Sequence, residues 1–157
     1  MGKTILFAIP TRNSGNNLKN LIESLKMQSS CDWKILFIDG STLLEEKKLI
    51  KQLCAGEKRC FLINENPNTK GIYSAMNEAF SFVKDNEWLI FWGSDDWASS
   101  KDIVKVIIEE IDKSIKKNIY PDLLIFSANY FSQQKNLIGR KTFFYSKSKI
   151  IYGKEFR

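Results

Sequence analysis

An α/β fold around a mainly parallel sheet, with helices on both faces, follows from three observations. Short apolar runs alternate with segments of helical periodicity, each run stops at a polar or glycine-containing turn, and 157 residues make one domain's worth of chain. The first run, Ile5-Leu6-Phe7-Ala8-Ile9, is continuous, as in a strand buried on both faces, and Pro10 ends it. Leu18, Leu21, Ile22 and Leu25 then recur at helical spacing behind the capping candidates Ser14 and Asn16. Ile35-Leu36-Phe37-Ile38 is a second buried strand ending at Asp39-Gly40, and Leu43, Leu44, Leu49, Ile50 and Leu53 predict a helix over 43–54. Phe61-Leu62-Ile63 is a third strand. After the polar loop 64–70, Gly71 opens a third helix with Ile72, Ala75, Met76, Ala79, Phe80 and Val83 as its buried face. Trp88-Leu89-Ile90-Phe91-Trp92 is the most apolar strand and stops at Gly93-Ser94-Asp95-Asp96. Ser99 and Asp102 are spaced as a capping box for a long helix with the stripe Ile103, Val106, Ile107, Ile111 and Ile115. Pro121 breaks the chain, Leu123-Leu124-Ile125-Phe126 reads as a fifth strand, and 137–152 reads as one or two further extended segments. With no repeat, low-complexity tract or linker, residues 1–157 are expected to form a single domain.

Composition removes several function classes. Hydrophobic residues at 43% and charged residues at 27% are ordinary globular values, which excludes disorder and collagen-like structure. No apolar run approaches the ~18 residues a membrane helix needs, and the N-terminus is expected to carry no signal peptide. Cys31, Cys54 and Cys60 are odd in number and lack C-x-x-C spacing, which predicts free thiols in a reducing, cytoplasmic setting. There is no histidine, which excludes Ser-His-Asp and Cys-His nucleophile systems, His-rich zinc sites and an imidazole base. Acid–base chemistry must come from carboxylates, lysines or the substrate.

The net charge of +6 lies wholly in 98–157, where 12 basic residues face 6 acidic ones; residues 1–97 are balanced at 12 and 12. Lys135, Arg140, Lys141, Lys147, Lys149, Lys154 and Arg157 face only Glu155 there, interleaved with Phe143, Phe144, Tyr145, Tyr152 and Phe156. Such a strip suits an anionic membrane surface or phosphate-rich substrates, and equally a solvated terminal hairpin. No nucleic-acid motif accompanies it, so nucleic acid is not expected as a partner.

Ligands of open α/β sheets bind outside the carboxyl ends of the strands. Those ends deliver Pro10-Thr11-Arg12-Asn13, then Asp39-Gly40-Ser41, then the loop leading to Lys70-Gly71, then Asp95-Asp96. Adjacent acids repel unless a cation sits with them, and Mg²⁺ or Mn²⁺ bridged to substrate phosphates supplies one. Taken singly, each residue has a plainer reading: Thr11, Asn13 and Asp39 as turn residues, Arg12 as an ion-pair partner, Asp95 and Asp96 as helix-capping acids, Lys70 as a solvated lysine, Trp92 and Trp97 as packing. The phosphate-loop and dinucleotide glycine signatures are both absent.

Four segments together carry a family resemblance: Ile9-Pro10-Thr11-Arg12-Asn13, Ile38-Asp39-Gly40-Ser41-Thr42, Lys70-Gly71-Ile72-Tyr73-Ser74-Ala75-Met76-Asn77, and Phe91-Trp92-Gly93-Ser94-Asp95-Asp96-Trp97. In order and spacing, over about residues 3–130, the chain resembles the family-2 glycosyltransferases, nucleotide-sugar enzymes of the GT-A fold, and among them the bacterial enzymes that build exopolysaccharide and lipopolysaccharide. The resemblance implies a nucleotide-diphospho-sugar donor, a UDP-sugar first, an Mn²⁺ or Mg²⁺ cofactor, and inverting transfer to a glycan or lipid-linked acceptor at the inner membrane face. On it, Pro10, Thr11, Arg12 and Asn13 line the nucleotide pocket, Asp39 hydrogen-bonds the base, and Lys70-Gly71 approaches the diphosphate or the ribose side. Asp95 serves ribose and metal, and Asp96 coordinates the ion.

Two features depart from the family pattern. The subgroup commonly has an aspartate where Ser74 stands and another acid near Thr69. Members also commonly run further, so 1–97 is expected to be the nucleotide-sugar-binding half and 98–157 a partial, C-terminally truncated acceptor half, with the catalytic base unassigned. A short member could complete its acceptor site from a second subunit, as a homo-oligomer. The alternatives are a non-catalytic nucleotide-sugar-binding module and, on the basic tail alone, a nucleic-acid-binding domain.

Overall fold

The computed structural model describes residues 3–132 and 136–141, and the chain divides into two compact units, Met1–Lys113 and Ser114–Arg157. The first unit runs through β1 (Thr4–Thr11), α1 (Asn17–Lys26), β2 (Trp33–Asp39), α2 (Leu44–Cys54), β3 (Cys60–Asn64), α3 (Ile72–Phe82) and β4 (Glu87–Phe91) into α4 (Ile103–Lys116). Its four strands pair in the order β3-β2-β1-β4, every pair parallel. Right-handed crossovers then decide which face each helix covers. The steps β1 to β2 to β3 run one way, which places α1 and α2 on one face. The step from β3 back past β1 to β4 reverses the direction and places α3 on the other.

The core agrees with that reasoning. Leu6, Ala8, Leu36 and Ile38 pack with Ala75 and Ala79 of α3, with Phe61, Ile63, Phe82, Val83 and Leu89 around them. The alternate residues Ile5, Phe7, Ile9, Ile35 and Phe37 point the opposite way and are also wholly buried, as are Leu18, Leu21 and Ile50 of α1 and α2. A mainly parallel sheet with helices on both faces is therefore what the chain forms. Phe7 meets Trp92 at 4.7 Å between ring centroids, so Trp92 is a packing residue.

Three expectations need correction. The capping box before α4 is not made. Val104 N–H donates instead to Gln28 Oε1 at 3.0 Å, Asp102 N–H to Ser100 Oγ, and the Asp102 carboxylate accepts from the Ser29 hydroxyl at 2.6 Å. Gln28 also donates to the Ser24 and Ser100 carbonyls, so one buried amide side chain ties the end of α1 to the start of α4. The α4 stripe is Val104, Ile107 and Ile111, with Val106 exposed, because the helix is rotated relative to the apolar count. On α3, Ile72 and Phe80 are exposed, since only the small Ala75 and Ala79 let the helix lie close on the sheet. Phe80 rests edge-on against Phe91, itself half-exposed on β4.

The second unit contains β5 (Ala128–Phe131) and β6 (Leu137–Lys141), an antiparallel pair with a bulge between Tyr130 and Phe131. The fifth strand thus lies after Leu123–Phe126 and not on it. That run is extended in composition but pairs with nothing among the described residues, and Leu123, Ile125 and Phe126 are exposed. Of the expected segment 137–152, residues 137–141 form β6 and the rest lies outside the described residues. Apart from Arg140 and the backbone of Lys141, the basic strip does too. Among the described residues no helix is long and apolar enough to cross a membrane.

Candidate functional site

The order β3-β2-β1-β4 puts the topological switch point between β1 and β4, which is where an open α/β sheet leaves a crevice at its carboxyl edge. Thr11 and Asp39 end neighbouring strands in register, and Gly40 N–H donates to the Thr11 carbonyl at 2.9 Å. Asn64, the last residue of β3, stands opposite Asp39. β4 stops at Phe91, opposite Ala8, so the turn 93–96 runs alongside the end of β1.

Pro10 pairs with Ile38 inside the strand. Thr11 is 4% exposed, and its Oγ1 is a buried polar atom with no protein partner. Such an atom is costly unless something else bonds it. Arg12 is exposed and forms no ion pair among the described residues. Asn13 adopts φ 53° and stitches the β1 end to the start of α2: its N–H donates to Ser41 Oγ, its Nδ2 to Thr42 Oγ1, and its Oδ1 accepts from Thr42 and Leu43 N–H. Asp39 is buried, and its Oδ1 accepts the Ser41 N–H at 2.8 Å in an Asx turn, which leaves Oδ2 as a further acceptor.

Glu65 joins this rim without having been singled out in the sequence. Its N–H donates to the Asp39 carbonyl, its Oε1 accepts the Gly71 N–H at 2.5 Å, and a methyl group at Gly40 would collide with its carboxylate. The β3–α3 loop is thereby fastened to the end of β2. Gly71 caps α3 at φ 110°, a backbone state that only glycine adopts without strain, which explains a glycine directly after Lys70. Lys70 is exposed and unpaired by any ion among the described residues. Ser74 donates its hydroxyl to Thr69 Oγ1. An open groove of about 400 Å³ follows α3, lined by Thr69, Lys70, Ser74, Asn77, Glu78 and Ser81. It shares only Lys70 with the predicted set.

The turn after β4 has the most specific geometry. Asp96 N–H closes it on the Gly93 carbonyl at 3.1 Å, and Gly93 N–H returns to Asp96 Oδ2 at 3.0 Å. A Cβ on Gly93 would lie 2.8 Å from Asp96 Oδ2 and 2.9 Å from Asp95 Oδ1, so both carboxylates converge on one small space above this residue. The Asp96 carboxyl is held above the usual carboxylate range, first by the protein atoms around it and then by the Asp95 charge, while the Gly93 N–H pulls the other way. Two carboxylates aimed into one small space are the residues that could hold a hard cation.

Fold and rim define an open α/β domain whose candidate ligand site lies at the switch point of a parallel sheet. The model of the family "Glycosyl transferase family 2" matches residues 7–156, and the chain belongs to that family. It is 26% identical over 123 residues to PGL/p-HBAD biosynthesis glycosyltransferases of Mycobacterium bovis (strain BCG / Pasteur 1173P2) and Mycobacterium tuberculosis (strain ATCC 25177 / H37Ra). The match covers 78% of this chain and 47% of theirs, so the chain spans about half the length of these relatives. Among solved structures, S. aureus TarS 1-349 aligns with a TM-score of 0.61 at 20% identity, over 73% of this chain and 33% of that one. TarS 1-349 in complex with UDP-GlcNAc gives 0.59 at 22% identity, over 73% and 32%. At these identities the likeness to TarS is one of fold.

Proposed function

We propose that the chain is the donor-binding part of a metal-dependent, inverting glycosyltransferase that takes a nucleotide-diphospho-sugar, a UDP-sugar first, and serves a glycan or lipid-linked acceptor. The observation that carries this reading is the convergence of Asp95 and Asp96 over Gly93 at the switch point. Asp95 and Asp96 would hold Mn²⁺ or Mg²⁺. No group of three or more ligating side chains occurs among the described residues, so phosphate oxygens would complete the shell, as is usual for these ions. When bound, the ion neutralises charge on the departing nucleoside diphosphate. Asp39 Oδ2 would accept from an N–H of the base, the orphan Thr11 hydroxyl would bond the nucleotide, and Arg12 and Lys70 would face the diphosphate. The UDP-GlcNAc and UDP complexes of TarS support UDP as the carrier.

The base that deprotonates the acceptor is assigned to no described residue. Asp102 is held by Ser29, Asp112 pairs with Lys3, and Glu109 and Glu110 stand beside Lys105 and Lys113. On this reading residues 1–97 bind the donor, residues 98–157 begin the acceptor side, and a further segment or a second subunit supplies the base. The basic, aromatic C-terminal strip suits attachment to an anionic inner membrane face.

Calorimetric titration of UDP with and without Mn²⁺ tests the donor site, with binding expected to be tighter by tenfold or more when the metal is present, about 1.4 kcal/mol. Absence of binding by UDP, GDP and dTDP alike overturns the proposal, and turnover of a UDP-sugar separates a transferase from a binding module. Gly93→Ala probes the geometry. The added methyl pushes two exposed carboxylates apart, so stability should change by no more than about 1 kcal/mol in urea, whereas the Mn²⁺ effect on UDP should shrink tenfold or more.

A further inference from the structure

Two of the three thiols are brought together. Cys54 is the last residue of α2 and Cys60 the first of β3, and their sulfurs lie 2.7 Å apart, both half-buried. A disulfide needs about 2.05 Å, so closing the pair asks for less than an ångström of movement. The connection between them is itself held in place. Glu57 N–H donates to the Cys54 carbonyl, and Cys60 N–H to the Glu57 carbonyl. The Arg59 guanidinium forks onto the Glu57 carboxylate at 2.8 and 2.9 Å, bringing its pKa down to about 2, and stacks over Trp33 at 3.7 Å. Cys31 is exposed on the loop before β2, outside this pair.

We propose that Cys54 and Cys60 form a dithiol modification site that low-molecular-weight disulfides oxidise to an intramolecular disulfide, with Cys54 as the attacking thiol. The Cys54 thiol is drawn below its ordinary range, first by the hydrogen bond it shares with Cys60 and then by the charge of Lys26, against the opposing effect of burial. Cys60 is pushed up, because that same bond, burial and the Cys54 charge keep its proton in place. Cys54 thiolate attacks one sulfur of the oxidant RSSR, a Cys54–SR bond forms, and RS⁻ leaves and is protonated. Capping Cys54 removes the neighbouring charge and the shared hydrogen bond that raise the Cys60 thiol. Cys60 then deprotonates and attacks Cys54 Sγ, the Cys54–SR bond breaks, and the second RS⁻ leaves to become RSH. The two protein thiols give up two electrons and two protons, and RSSR becomes two RSH. The site lies at the amino ends of β2 and β3, away from the strand-end rim, and does not rest on the glycosyl-transfer reading.

Oxidised glutathione, added to the folded full chain and followed by thiol counting after denaturation, tests it. Free thiols should fall from three to one, and peptide mapping should place the link between Cys54 and Cys60. Cys31→Ser should lose its two remaining thiols in the same way. Cys60→Ser should trap glutathione on Cys54, while Cys54→Ser should leave Cys60 unmodified. Cys54 and Cys60 both staying reduced, a link to Cys31 or between chains, or glutathione trapped on Cys60 as readily as on Cys54 would each overturn the proposal.

Discussion

Asp96→Ala is expected to erase the Mn²⁺-dependent part of UDP binding, a loss of about a hundredfold or more, some 2.7 kcal/mol. Asp96 contributes one of two converging carboxylates and also receives the Gly93 N–H that shapes the turn, so the substitution removes a ligand and loosens its neighbour. Asp39→Ala should behave differently and weaken UDP equally with and without metal, since its carboxylate lies on β2 and shapes the Ser41 turn. The pH dependence follows from the raised Asp96 pKa. A carboxyl that holds its proton more tightly folded than unfolded disfavours the folded state on ionising. Stability of the metal-free protein therefore falls as pH rises from the unfolded pKa through the folded one, and Asp96→Asn should flatten that decline. A cation competes with the same proton. Metal-assisted UDP binding should weaken by about tenfold per pH unit below the folded Asp96 pKa and level off above it. Titrations across pH with both variants check this, and a metal effect that survives in Asp96→Ala would place the ion elsewhere.

The parts of the fold that could be read from sequence are those where burial is two-sided. β1 and β2 lie inside the sheet, both faces are covered, and a continuous apolar run has no other explanation. Where a face is open, composition misleads. Ile72, Phe80 and Val106 look like core residues and are exposed, and Leu123–Phe126 looks like a strand yet has no ladder partner among the described residues. The start of α4 was hidden for another reason. Its amide donor is satisfied by Gln28, 76 residues away in sequence, and no local pattern encodes such a partner. The rim was legible because strand ends are, so Thr11, Asp39 and Asp95–Asp96 could be located before any coordinates. Glu65 was not, because its part depends on the close approach of Gly40 and on the cap at Gly71. A glutamate directly after a strand, six residues before that glycine, was the available signal. The Cys54–Cys60 pair escaped because spacing rules look for C-x-x-C, whereas a helix end and a strand start with a five-residue turn between them also bring two sulfurs together.

Phe7→Ala should be the most destabilising single truncation, and its result bears on the site as well as the core. Phe7 sits at the middle of the central strand, wholly buried, in register with Ile35 on one side and Ile90 on the other. Removing a ring from such a position costs about 3–5 kcal/mol, a large part of the about 5–15 kcal/mol that holds a domain folded. With a urea m-value of about 1–3 kcal/mol/M, the midpoint should drop by roughly 1–5 M. Phe7→Leu keeps most of the volume and should cost less than about 1.5 kcal/mol. Phe80→Ala is the control: an equal loss of atoms from a ring that is 61% exposed, expected to cost under about 1 kcal/mol. The ring of Phe7 also supports Trp92, which leads directly into the Gly93–Asp96 turn, so the folded fraction of Phe7→Ala should bind UDP with Mn²⁺ several-fold more weakly. If Phe7→Ala and Phe80→Ala were equally costly, the two-faced burial of β1 would be wrong. If the first destabilised the fold without touching metal-assisted binding, the turn would draw its shape from its own hydrogen bonds alone.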